Sequence, residues 1–243
     1  MLFLKHAQDK WEADGGASGI FTHTFVMNTP ARMSIGNPTP HTWVYTNDDP
    51  NTRWVGYQVR VVDSLARLVH LSRSSAGYAD VNSLALTLAM KFVNRINTLW
   101  ANLNGVVVSG VRIYGMPTDY DDPASGTPQT NYEEPHAAAL LLRACMWLKL
   151  SGKLNTAQLD VVNALGKRCF DYIELRYRQS VQDPMRYTWA NDNQVWYGFW
   201  HFEIIATFAY LLKNTAGIPN GIDAAVLRQR LVETQSWLVN NVR

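Results

Sequence analysis

The chain has 243 residues, 47% of them hydrophobic and 17% charged, with a formal net charge of +2. That balance excludes a disordered chain, and with basic residues scattered rather than clustered it gives no electrostatic basis for binding nucleic acid. No stretch approaches the roughly eighteen uninterrupted apolar residues of a membrane span, so no membrane insertion is expected.

The chain opens on "MLFLKHAQDKWEADGG", whose apolar start before Lys5 is too short for a signal peptide. Synthesis in the cytoplasm without an export signal is the expectation. Residues 1–40 read as an extended N-terminal arm, rich in Gly, Thr and Pro, with a short alternating run "IFTHTFVM" that suits a strand. The "GGASG" stretch at 15–19 lacks the strand-before, helix-after context of a nucleotide loop, and no cofactor motif occurs elsewhere.

From residue 41 to 243 one plan repeats three times. A loop carrying Pro, Asp or Asn leads to an aromatic residue, an apolar helix follows, a glycine stops it, and a second helix returns. The aromatic and glycine pairs are Trp54 and Gly77, Tyr132 and Gly152, and Trp196 and Gly217. A glycine past a helix end accepts the left-handed conformation that closes the last carbonyls. The first helices, such as "HAAALLLRACMWLKL" and "VWYGFWHFEIIATFAYLL", are apolar nearly all round, whereas the return helices are amphipathic. The predicted fold is therefore mainly α: three tandem α-hairpins, six long helices, forming an α/α toroid or arc with apolar helices inside and amphipathic helices outside. Short β insertions are expected at "GVVVSGVRIYG" and "MRYTWAND". Cys145 and Cys169 fall within helical patterns and are expected as buried thiols.

Candidate site residues gather in the loops before the inner helices. "TDYDDPASGTPQTNYEEPHAA" crowds Asp121, Asp122, Glu133 and Glu134 towards His136. Thr130 or Asn131 with a glutamate three residues on would make a capping box, and aspartates before proline commonly close turns; an acid–base pair or a divalent cation site is the alternative. Glu203, inside so apolar a helix, needs an Arg or His partner from a neighbouring helix or else faces the ring axis as a functional carboxylate. His201 and Glu203 lie two apart and point to different sides; neither this pair nor any other motif here makes a metal site. Trp43, Trp54, Trp189, Trp196 and Trp200 stand near inner-helix starts, where they serve as core or as a surface for a protein or glycan partner.

The stretches "TNDDPNTRWVGYQ", "TDYDDPASGTPQTNYEEPHAA" and "YTWANDNQVWYGFWHFE" resemble the (α/α) toroids of six-hairpin glycosidases and polysaccharide lyases. That resemblance implies a carbohydrate-active enzyme with loop-face carboxylates, here Asp121, Asp122 or Glu203, and aromatic platforms for sugar rings. Those enzymes wall their cleft with twelve helices and this chain offers six, which shields a general acid less well. The arm joined to a compact domain also resembles bacteriophage virion components such as tail or baseplate proteins. Taken together, the sequence favours a structural or interaction protein that assembles with other subunits through its N-terminal arm, as a homo- or hetero-oligomer, and presents its aromatic loop face to a partner or glycan, over an enzyme.

Overall fold

The computed structural model describes residues 2–13, 15–21, 25–27, 43–45, 56–102, 106–108, 111–113, 120–122, 127–128, 134–180, 183–189 and 198–242. Three α-hairpins follow one another: α2 (Gly56–Leu71) with α3 (Ala79–Asn102), α4 (Pro135–Ser151) with α5 (Thr156–Leu175), and α6 (Gly198–Lys213) with α7 (Ala224–Asn241). The first helix of each hairpin packs beside the next, α2 on α4 and α4 on α6, and each return helix lies behind its own partner. This is the predicted two-layered arc of six long helices. The central helix α4 is buried almost throughout, from Ala137, Ala138 and Ala139 to Met146 and Leu148, because it has a helix on each side and α5 behind it. Small residues there let backbones approach, and Thr207 of α6 donates its hydroxyl to the Ala139 carbonyl at 3.1 Å.

The second hairpin turns as the sequence predicts. Gly152 takes φ 64° as the cap of α4, a left-handed conformation that costs other residues a steric clash. The other two differ. Gly77 and Gly217 each lie in a single 3-10 turn, and α2 and α6 end earlier, at Leu71 and Lys213. There the closing groups are Ser72, whose hydroxyl bonds the Leu68 carbonyl at 2.7 Å, and Asn214, whose side chain bonds the Tyr210 carbonyl at 2.9 Å. The start of α4 also departs from expectation. Glu134 itself is the N-cap and makes no side-chain cap bond, with Pro135 the first helical residue, so Glu134 is not the third residue of a capping box. Its backbone N–H donates instead to the Tyr172 hydroxyl at 3.2 Å. A reciprocal capping box does occur on α5, between Asn155 and Gln158.

Among the described residues, four antiparallel two-stranded ribbons decorate the arc: β1 (Phe25–Met27) with β2 (Trp43–Tyr45), β3 (Val106–Val108) with β4 (Val111–Ile113), β5 (Tyr120–Asp122) with β6 (Thr127–Pro128), and β7 (Tyr177–Gln179) with β8 (Tyr187–Trp189). Strands β1, β3, β4 and β8 fall within the three runs that read as strands, whereas the partners β2 and β7 and the whole β5–β6 ribbon are additional. Outside the arc, Arg230 of α7 grips Glu174 of α5 with a 2.7 Å bond from Nη2, and its guanidinium lies 4.3 Å from the Tyr177 ring centroid. Both cysteines are free and buried, as expected.

The first forty residues are not extended throughout. Residues Leu2–Ala13 form helix α1, with Lys5 and Asp9 paired one turn apart and Gln8 fully buried. Tertiary contacts decide this segment. Glu12 pairs with Lys91 of α3 at 3.1 Å and accepts the Gly19 N–H at 3.2 Å. Ile20 and Phe21 join the core, and the Phe21 N–H donates to Gln58 Oε1 at 2.7 Å. Gly19 has φ +85°, and a methyl group there would meet the Lys91 carbonyl oxygen at 2.5 Å. Gly19→Ala is accordingly expected to destabilise the fold by about 1–3 kcal/mol and to speed proteolysis between α1 and α2, measured by urea unfolding and by limited trypsin digestion. A variant as resistant and as stable as the parent would show that α1 is not anchored at this point.

Candidate functional site on the inner helices

A helical stripe places residues three, four or seven apart on one side, and α4 carries His136, Arg143 and Trp147 in this way. The neighbouring helices bring matching residues to each level. At the middle level Arg143 donates to Asp63 of α2 through Nε and Nη2, the shorter bond being 2.8 Å, and through Nη1 to Oε2 of Glu203 of α6 at 3.2 Å. At the level nearer the helix C-termini, Trp147 lies between His70 of α2 and Tyr210 of α6, with ring centroids 5.2 and 5.5 Å away. The Arg143 guanidinium also sits 5.8 Å from the Tyr210 ring centroid. Towards the N-termini, the His136 ring stacks on Trp200 at 5.9 Å and meets the edge of Phe199 at 4.9 Å.

The electrostatics follow from two acids sharing one base in a poorly hydrated seam. Arg143 and Asp63 have side chains only 13% and 14% exposed, whereas Glu203 remains 32% exposed. Burial lifts the Asp63 carboxyl above its ordinary value even with Arg143 beside it, and the Glu203 charge adds to the lift. Burial works against the Arg143 charge, but its bonds to Asp63 outweigh that and hold it protonated. The His136 imidazole is pushed down to about 3, first by burial and then by the Arg60 charge. It is therefore neutral at physiological pH, and its 3.7 Å approach to Glu134 is not an ion pair there.

Glu203 thus finds the kind of partner that its apolar helix demands, an arginine from the adjacent inner helix. Trp189 is fully buried between Tyr177, Phe208 and His201. Trp200 is 5% exposed behind His136. Both are buried rather than forming a contact surface, because β8 turns Trp189 inward onto His201 and Phe208 and α4 covers Trp200. Asp121 and Asp122 lie in β5, with Asp122 opposite Thr127, and Trp43 lies in β2 opposite Met27. Trp54 and Trp196 fall outside the described residues, as do Thr130, Asn131 and Glu133.

Sequence reasoning missed Asp63, Arg143 and the ring of His70, Trp147 and Tyr210. A signal was present. Asp63 and Glu203 both stand fourteen positions before their hairpin glycines, Gly77 and Gly217, and His70 and Tyr210 both stand seven before them. A cleft of about 420 Å³ also opens where the first two hairpins turn, lined by residues that include Ser72, Arg73, Asn82 and Lys153. Among the described residues no group of three His, Cys, Asp or Glu could hold a metal ion, and no helix is long and apolar enough to cross a membrane. Comparison with protein families, with characterised proteins and with solved structures returns no match.

Proposed function

We propose that this protein is a structural or interaction component of the kind found in bacteriophage tails and baseplates, joining other subunits and presenting the loop end of the arc to a protein or glycan partner. The observation that carries the interaction reading is the state of the inner-face carboxylates. Acid–base chemistry needs one carboxyl group free to give a proton and another free to take one. Here Asp63 is spent on a two-point grip with Arg143, and Glu203 is bound to the same guanidinium. A wall of this kind holds helices in register. The virion assignment draws on the texture of the segment before α2, which is rich in glycine, threonine, asparagine and proline.

A second reading, a glycoside hydrolase or polysaccharide lyase using Asp121, Asp122 or Glu203, is favoured by one feature. Glu203 Oε1 has no hydrogen bond among the described residues, and the side chain is the most exposed of the three in the seam. The two readings separate in a screen of the purified protein against polysaccharides, with product release and binding measured together. Binding without turnover, or no binding, is expected. Cleavage that is lost in Asp122→Asn or Glu203→Gln would replace the assembly reading with the enzymatic one.

A further inference from the structure

The two ends of the arc are unlike and complementary. Helix α6 is apolar on nearly every side, and a helix of that kind is normally covered all round. Its sides towards α4 and α7 are covered, by Thr207 against Ala139 and by His201 stacked 5.7 Å from Trp237. The remaining side carries Phe202, 64% exposed, followed by Ala206 and Ala209, with the 52%-exposed Phe199 at its margin, where one part of the ring meets His136 of α4. At the other end of the arc, α2 carries a stripe of exposed residues, Tyr57, Arg60, Ser64, Arg67 and Leu71, with Arg67 near enough to Asp63 for its charge to act there.

The chain itself fixes how two such helices meet. Asp63 and Glu203 share the level of Arg143, and His70 and Tyr210 share the level of Trp147. Residues of α2 and α6 that differ by 140 in number therefore stand at the same height. With that register kept, Ser64 of one edge faces the space between Phe202 and Ala206 of the other. Arg67 faces the space between Ala206 and Ala209, and Leu71 the space beyond Ala209. Small thus meets large along both edges. The charges agree as well. The α2 stripe is cationic, and α6 offers aromatic faces at its edge and, beside them on the side towards α4, the half-paired and part-exposed carboxylate of Glu203. Inside the chain, the contact between α4 and α6 already uses an arginine on a Glu and an aromatic ring, Arg143 on Glu203 and Tyr210.

We infer that the α2 edge of one copy docks on the α6 edge of a second copy, with Arg67 reaching Glu203 across the contact. A two-fold arrangement makes this contact twice and leaves neither edge open, so the pair of arcs closes, whereas a head-to-tail stack would continue. The inference deepens the assembly reading and rests on it.

The test is native mass by light scattering across a dilution series, on the full chain and on Phe202→Asp and Arg67→Glu, together with a disulfide trap pairing Ser64→Cys with Ala206→Cys. The native thiols are buried and do not confuse the trap. A dimeric parent, at least a tenfold weaker dimer in each charge variant at unchanged helical content, and a trapped covalent dimer are expected. A parent monomeric at every concentration overturns the inference. So does a dimer indifferent to both substitutions and refractory to the trap, which would place assembly on another surface and leave the assembly reading standing. Polysaccharide turnover, the result that would displace that reading, is measured separately.

Discussion

Replacing Arg143 with methionine is expected to lower the unfolding free energy by about 3 kcal/mol, the usual cost of stripping the partner from a buried ion pair. The side chain is 13% exposed and serves two acids from neighbouring helices. Without it, Asp63 and Glu203 face one another with only the weaker, more distant charge of Arg67 to offset Asp63. Asp63 carries most of the cost, because it is the more buried acid and already disfavours ionisation. Glu203→Gln alone should cost less than about 1 kcal/mol, since much of that group stays in water. Asp63→Asn should recover part of the loss when combined with Arg143→Met, and the double-mutant cycle measures the coupling. Urea unfolding with an unchanged m-value is the readout. A loss in Arg143→Met below about 1 kcal/mol would mean that the seam relaxes and admits water.

That seam shows where the sequence is opaque. The hairpins are legible because each is a local matter: apolar spacing along one helix, a loop before it and a turn after it. The inside and outside layers are legible for the same reason, since α4 and α6 have too few polar positions to face water on any wide side. Arg143, in contrast, acquires its role from residues 80 and 60 positions away, and a lone arginine in "LLLRACMW" looks like any interruption of an apolar run. Helix α1 was opaque because its stability comes from Lys91 and the core rather than from caps or length. The tryptophans misled in a different way. Their positions near helix starts suit a binding face and a core equally, and the β7–β8 ribbon that carries Trp189 inward is too short for its placement to be read in advance.

The second large effect is a pH dependence. His136 is buried against Phe199 and Trp200, and its folded value is pushed down to about 3 from 6.5. Because the folded value is depressed, the unfolded chain binds the proton more readily. The stabilising contribution is complete above about pH 6.5 and is lost progressively as pH falls towards 3. A shift from 6.5 to about 3, at about 1.4 kcal/mol per pH unit, amounts to roughly 4–5 kcal/mol in all, most of it gone by about pH 4. His136→Gln removes this titration. The parent should lose about 3 kcal/mol between about pH 7 and 4 beyond whatever the variant loses, read from urea unfolding at each pH. Parallel pH profiles for the two proteins would show that the ring gains a proton without opening the fold.

The position of α4 sets a timetable for synthesis. It is the neighbour that α2, α5 and α6 all share, and it runs from Pro135 to Ser151, past the middle of the chain. A ribosome releases the first hairpin complete, yet until α4 emerges that hairpin has only α1 and the Ile20–Phe21 segment to lean on. Nascent chains stopped before residue 135 should remain open to protease, and those long enough to carry Ser151 clear of the ribosomal exit tunnel should begin to resist it. The last hairpin then arrives on a surface already built, so the chain gains its order in the middle and spreads it outwards.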